Sequence, residues 1–269
     1  MTVSIIIPTF HEEDLIGGSV DRAWATGAAE VVVVDGGSCD ATVRRAALHG
    51  ARVLNSDRGR ALQQNHGAAQ ATGSILLFLH ADNWLERDAT SQIRSVLRDA
   101  SVLGGAFQQR IDAPGRGYRL LEWGNAARVR WRGLPYGDQG IFLRRTVFEQ
   151  LGGFPPVELM EDLFLMRRLR HLARPVLLPG PLHVSPRRWR RHGLVRQTLR
   201  NWALLTAERC GIAPDRLARY YPPHTPLPEL PRAAKPNPSV PYRKSPASLA
   251  STLGGTAGLS SSERDVVGG

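Results

Sequence analysis

The feature that most constrains this chain is a pattern repeated between Val3 and Asp82. Short continuous apolar runs alternate with segments of helical spacing, and each run gives way to acids or small polar residues. Val3-Ser4-Ile5-Ile6-Ile7 reads as a buried strand stopped by Pro8, and a helix is expected over 14–25. Val31-Val32-Val33-Val34 is a second strand, ending at Asp35-Gly36-Gly37-Ser38. Asp40 stands where a cap belongs, ahead of a helix over 41–49. A strand over 51–54, a helix over 60–71 closed by Gly73, and a strand over 75–79 ending at His80-Ala81-Asp82 complete the pattern. Strands with no polar alternation are covered on both faces, and helices between them imply parallel crossovers. The expectation is an α/β fold with an open, mostly parallel sheet and helices on both sides.

The remainder is less regular. Residues 104–111 and 140–143 suit strands; 118–131 and 146–151 suit helices. Leu163, Met166, Leu169 and Leu172 recur at helical steps over 160–172. Val195, Leu199, Trp202 and Leu205 give another amphipathic helix, flanked by Arg187, Arg188, Arg190 and Arg191. From Thr225 the chain is rich in Pro, Ser, Gly and Ala and poor in large apolar residues. It is expected to be disordered over 225–269, leaving one domain over 1–224. Cys39 and Cys210 show no metal or redox spacing. No leader segment is evident, and the apolar runs fall far short of the roughly 20 residues needed to span a bilayer. A cytoplasmic protein is expected, with peripheral contact at a membrane surface left open. The formal net charge is +11, almost all of it arginine, since Lys235 and Lys244 are the only lysines. Such a surface favours anionic partners, but no nucleic-acid reader module is present.

Open parallel sheets bind ligands at the carboxyl ends of their strands. A dinucleotide-binding domain needs a glycine-rich turn after the first strand. Here that turn is Pro8-Thr9-Phe10-His11-Glu12-Glu13, and carboxylates there would repel a pyrophosphate unless a cation intervened. A better fit is a site that takes a base and ribose at the first strand ends and reaches the diphosphate through a metal. Asp35 would accept hydrogen bonds from the base or ribose. Asp82 would hold Mg²⁺ or Mn²⁺, which prefer oxygen ligands and often take only one or two carboxylates.

The order of PTFHEE, VVVVDGGSCDAT, ATGSILLFLHADNWL, LGGFP and LMEDLFLMRRL resembles the family 2 glycosyltransferases, which have the GT-A fold. The resemblance covers about 3–210. The HAD triplet, the GDQ stretch and the RRW segment are most similar to a bacterial subgroup associated with radical-SAM/selenodomain proteins and proposed for arsenosugar biosynthesis. The resemblance implies that Pro8, Thr9, Glu12 and Asp35 line the nucleotide pocket, with Arg60 contacting the donor. It implies that Ala81 and Asp82 hold the place of the metal motif, and that Glu161-Asp162 supplies the catalytic base. Arg188-Trp189 resembles the end of a longer motif of processive relatives. His11 and His80 depart from the family's usual asparagine and first aspartate, and Ser185 stands where the processive motif has glutamine, which argues against a polymerase.

The implied function is inverting, metal-assisted transfer of a sugar from a nucleotide-diphosphate donor, UDP by family habit, to a hydroxyl on a small-molecule or lipid acceptor. Asp162, with Glu161 second, is the expected base; Asp82 and its metal would stabilise the leaving diphosphate. Gly137-Asp138-Gln139 and Gly152-Gly153 would face donor sugar or acceptor. Each has a plainer rival. Asp35 can serve only its turn; Asp82 can cap a helix; Glu161-Asp162 can be N-terminal helix charge. Gly152-Gly153-Phe154 can be a helix end, His80, His183 and His192 polar packing or surface residues, and Trp189 and Trp202 core. Two other functions compete: a sugar nucleotidyltransferase, which would want a basic glycine-rich first loop, and a non-catalytic nucleotide-sugar-binding protein, which need not keep Asp35, Asp82 and Asp162 together.

Overall fold

The computed structural model describes residues 1–221. The tail expected over 225–269, and the domain boundary at 224, lie outside the described residues. Eight strands form one mixed sheet: β1 Val3–Thr9, β2 Glu30–Asp35, β3 Arg52–Asn55, β4 Ile75–Phe78, β5 Asn83–Leu85, β6 Gly104–Ile111, β7 Phe142–Arg144 and β8 Val176–Val184. Their order is β3-β2-β1-β4-β7-β6-β8-β5. The β3-β2-β1-β4 half is parallel, as the uninterrupted apolar runs require. Beyond it β7 runs antiparallel to both β4 and β6, β8 parallel to β6, and β5 antiparallel to β8.

Ten helices were found among the described residues: α1 Glu13–Ala25, α2 Thr42–Leu48, α3 Arg60–Gln70, α4 Ala89–Val96, α5 Arg116–Arg132, α6 Arg145–Gln150, α7 Glu161–Leu172, α8 Arg187–His192, α9 Leu194–Arg209 and α10 Pro214–Ala218. Alternate strand residues feed two cores. Ile5 and Ile7 pack with Ile16 and Val20 of α1, Ala46 of α2 and Ile93 of α4. Ile6, Val32 and Val34 pack on the other face with Ala61 and Ala68 of α3 and with Leu163, Met166 and Leu169 of α7. Close approach of α3 to the sheet depends on Gly67, where a Cβ would lie 2.6 Å from Ile6 Cγ2 and 2.8 Å from Val34 Cγ2.

Several expectations need correction. Pro8 does not stop β1: the strand runs on to Thr9, pairing Pro8 with Val34 and Thr9 with Asp35. Gly73 does not close α3, which ends at Gln70 with Ala71 as its extended cap; instead the Gly73 N–H donates to Ser4 Oγ at 2.8 Å. The carbonyls at the end of α3 go to Arg145, whose guanidinium donates to Ala68 O, Ala71 O and Gly73 O, a cation where the helix leaves acceptors unpaired. The rival role for Asp82 as a helix cap falls away, because a short strand follows it. The largest reversal concerns α9. Its buried residues are Gln197 and Leu204, so Val195, Leu199 and Trp202 face outward rather than into a core.

Candidate active site

Strand ends and helix starts meet along one rim. The loop after β1 carries Glu12 to the start of α1, and the loop after β4 carries Asp82. Arg187, at the start of α8, joins them: its Nη2 lies 2.9 Å from Glu12 Oε1 and its Nε 3.2 Å from Asp82 Oδ2. Burial pushes the Glu12 carboxyl up, and Arg187 opposes that. The Glu12 N–H donates to Thr42 Oγ1, and the His11 N–H donates to Ser38 Oγ. The loop after β1 is thus tied to the one after β2.

Asp35 sits at the end of β2, 2% exposed. Its Oδ2 accepts from Gly37 N at 2.9 Å and Ser38 N at 2.7 Å, and its Oδ1 accepts from Ser38 Oγ at 2.5 Å. These three bonds leave Oδ1 with one further lone pair, but burial limits what can reach it. Pro8 and Thr9 complete this end of the rim, and Gln63 of α3 donates to Thr9 O and Val34 O.

The other end is built around the start of α7. Glu161, 1% exposed, has its Oε1 2.5 Å from Arg60 Nε, which projects from the start of α3. Burial raises the Glu161 pKa while Arg60 opposes it, and Asp162 adds to the rise. Asp162 is half-buried and held by backbone: its Oδ1 accepts from Leu163 N at 2.7 Å, and its Oδ2 accepts a short bond from Gly137 N. His80 reaches the same place, since a Cβ on Gly137 would lie 3.0 Å from Asp162 Oδ2 and 3.4 Å from His80 Nε2. Burial first, then the positive charge of Arg60 and Arg188, pushes the His80 pKa down to about 3, so its imidazole is neutral. Burial beside Arg60 likewise pushes Arg188 down to about 10, against the attraction of Asp138 and Asp82; it remains a cation at neutral pH.

Gly137-Asp138-Gln139 forms a 3₁₀ turn. Fully buried Gln139 accepts from Arg128 and from Tyr136 N, fixing the turn. Burial raises the Asp138 carboxyl. Buried polar atoms on the rim with no hydrogen-bond partner among the described residues include four acceptor-capable ones, Thr9 Oγ1, His80 Nε2, Asp138 Oδ1 and Glu161 Oε2. Buried polar groups are rarely left so, and their gathering here marks where polar ligand atoms would be received.

Gly152 and Gly153 lie at the end of α6. Both have positive φ, at 75° and 69°. Asn65 then binds Phe154 through both its backbone groups at 2.9 and 2.8 Å, seating that ring against Phe78 and Phe148. Trp189 is partly buried against the first core, and Ala81, 7% exposed, packs there too. His183 is polar packing, stacked on Trp84 and bonded to Asp112 and Glu86; His192 is half-buried. What the spacing of residues had not revealed is the Glu12–Arg187–Asp82 bridge and the Arg60–Glu161 pair. The arginine cluster before Trp189 was visible, but not which member turns to the acids.

A divalent cation fits in a limited sense. Arg187 takes Asp82 Oδ2 and the Asn83 amide lies 3.2 Å from Oδ1, so a cation would share either oxygen with a donor already there. Among the described residues no group of three or more His, Cys, Asp or Glu side chains could hold an ion, so phosphate and water would have to complete its shell.

The sequence pattern described as glycosyl transferase family 2 matches residues 4–153, just over half of the chain. The chain belongs to glycosyl transferase family 2. Glu161, Asp162 and Arg187 to Trp189 lie beyond the matched stretch. A PGL/p-HBAD biosynthesis glycosyltransferase of Mycobacterium bovis (strain BCG / Pasteur 1173P2) is 35% identical over 168 residues, 56% of this chain and 62% of that protein. A relative of the same description from Mycobacterium tuberculosis (strain ATCC 25177 / H37Ra) matches equally. The chain therefore spans less than two thirds of the length of these relatives. Among solved structures, S. aureus TarS 1-349 aligns with TM-score 0.56 at 18% identity, over 69% of this chain and 61% of that one. The mannosyltransferase PcManGT from Pyrobaculum calidifontis, solved with GDP-Man and Mn2+, aligns with TM-score 0.55 at 24% identity, over 79% and 65%. At these identities the likeness is one of fold: the family 2 chain has the GT-A-like mixed sheet. No helix among the described residues is long and apolar enough to cross a membrane.

Proposed function

We propose that this family 2 glycosyltransferase moves a sugar from a nucleotide-diphosphate donor, UDP in the first instance, to an acceptor hydroxyl with inversion at the anomeric carbon. The observation that carries the reading is the convergence of Glu12, Asp82, Asp162, Arg60, Arg187 and Arg188 on one rim with four unpartnered, buried, acceptor-capable atoms. The mannosyltransferase complex with GDP-Man and Mn2+ and the TarS complex with UDP-GlcNAc lend the donor class support through fold alone. The acceptor is a small molecule or a lipid. Within the family, the HAD, GDQ and RRW stretches favour the radical-SAM/selenodomain-associated, arsenosugar-type subgroup.

Asp162 acts as base. Two backbone amides orient its carboxylate, so little reorganisation is needed when it takes the hydroxyl proton. The acceptor oxygen forms its bond to the anomeric carbon as the bond to the diphosphate breaks, and the electron pair leaves with the diphosphate. Arg187 and Arg188 supply fixed positive charge to that leaving group. Glu161 serves as a positioning residue, because Arg60 engages its one paired oxygen. Neutral His80 packs beside Asp162 without adding a charge that would weaken the base. Bound at Asp82, Mg²⁺ or Mn²⁺ would supply Lewis-acid stabilisation of the diphosphate. Asp35, through its turn, shapes the nucleotide end of the pocket.

A thermal-shift screen of nucleotide sugars with and without Mn²⁺ tests this. A true donor at a hundred times its Kd adds about 2.7 kcal/mol, or roughly 5–10 °C at this size. No shift with any nucleotide sugar, with or without metal, would refute the donor assignment.

A further inference from the structure

The outward face of α9 has no covering partner among the described residues. Val195, Leu199 and Trp202 recur at four- and three-residue steps along one side, and Trp202 is 62% exposed. Exposed Arg190, Arg191, Arg196 and Arg209 border this stripe, and no Asp or Glu occurs between Arg187 and Ala207. Glu208, the next acid, is taken by Arg167 at 2.6 Å. Helix α5 repeats the chemistry. Leu120, Trp123 and Trp131 are exposed on one side, Trp131 at 74%, beside exposed Arg130 and Arg132. Its one acid, Glu122, is buried and accepts from Ile111 N. The two helices meet at their first turns. A Cβ on Gly117 would lie 2.6 Å from Leu194 Cδ2, and Tyr118 stands edge-on to Trp189 at 6.2 Å.

We propose that the outer faces of α5 and α8–α9 form a docking surface for an anionic lipid bilayer. An interfacial helix sinks its apolar stripe to the headgroup boundary and keeps a basic flank against lipid phosphates. Tryptophan favours that boundary because its ring is apolar and its N–H is polar. Charge complementarity selects the occupant. A second copy would bring the same arginines to the same face, and an acidic protein surface would leave the tryptophans and leucines unmatched. An anionic bilayer satisfies both halves. The surface also continues into the site, because α8 starts at Arg187. A bilayer held there presents a lipid-borne hydroxyl beside Asp82 and Asp162. This choice of acceptor class rests on the transfer reading, whereas the bilayer contact does not.

The test is co-sedimentation of the full chain with phosphatidylcholine vesicles, with and without phosphatidylglycerol, in the absence of donor. Binding is expected only to the anionic vesicles and should weaken with salt. Arg190→Ala with Arg191→Ala should reduce it about 25-fold, from about fivefold for each basic residue at a charged surface. Trp202→Glu should reduce it at least about tenfold. Unchanged melting temperatures and donor-induced thermal shifts in these variants show that fold and site are intact. A wild-type chain that ignores anionic vesicles overturns the proposal, as does binding indifferent to both changes. A dimer in solution that Trp202→Glu disperses, without vesicle binding, would assign the face to a second copy and overturn it too. Failure of the donor screen alone leaves the vesicle result standing on its own.

Discussion

Replacing Arg60 with methionine tests the electrostatics of the site through stability alone. Arg60→Met keeps most of the aliphatic stem but leaves Glu161, 1% exposed, with no cation on either oxygen. Removing one partner of a buried ion pair costs about 3–5 kcal/mol. The Arg60 side chain is 33% exposed, so water reaches the gap, and about 2–3 kcal/mol is the better expectation. At about 2–4 °C per kcal/mol for a domain of this size, the melting temperature should fall by about 4–12 °C at neutral pH. The pH dependence has a definite sign. Burial already raises the Glu161 pKa in the folded state, and loss of Arg60 raises it further. A folded-state carboxyl that holds its proton more tightly than the unfolded one destabilises as pH rises through its folded pKa and recovers as pH falls. The gap between variant and wild type should therefore be widest at neutral pH and narrow on acidification. Thermal unfolding followed by circular dichroism from neutral to mildly acidic pH measures it. Adding Glu161→Gln to Arg60→Met should restore part of the loss, since the unpaired charge is gone. A variant as stable as wild type at every pH, or a gap that widens in acid, would refute the reasoning.

Four other outcomes follow from the geometry. Asp162→Asn should lower the transfer rate by about 10²–10⁴ while leaving the donor-induced thermal shift in place, which single-turnover assays and thermal shift together would separate. Asp82→Asn should abolish metal-stimulated donor hydrolysis with the fold retained, checked by Mn²⁺ titration of hydrolysis alongside circular dichroism. His80, with a folded pKa of about 3, resists the protonation its unfolded form accepts near 6.5. Stability should thus be lost as pH falls below that value, by up to about 1.4 kcal/mol per pH unit, and His80→Asn should flatten this limb in urea titrations. Gly67→Ala should cost about 1–3 kcal/mol by urea unfolding, because the new methyl meets Ile6 and Val34.

The parallel half of the fold was legible because its strands are buried on both faces and their apolar runs are unbroken. Val31 to Val34 leaves no other reading. The strands β5 and β8 were not, since Asn83–Leu85 is too short to show a period and Val176–Val184 carries two prolines and a glycine. The acids of the site were legible by position, as they follow strands or open a helix. Their partners were not: Arg187 is 175 residues from Glu12 and 105 from Asp82, and only the fold joins them. Periodicity misled at α9. A 3.6-residue repeat reports that one face is apolar, but not whether that face is inside.

The helix that closes the rim is weakly anchored. No residue of α8 is fully buried, and Trp189 alone among its side chains joins a core, partly covered. Yet this helix supplies the arginine that spans Glu12 and Asp82. Segments with little buried surface open at far lower free energy than the strands beneath them. What holds this wall of the cleft is chiefly charge, the ion pairs of Arg187 with Glu12 and Asp82, rather than buried apolar surface. If it lifts, Glu12 and Asp82 lose their shared counter-charge together, and their combined negative charge is left to draw a cation.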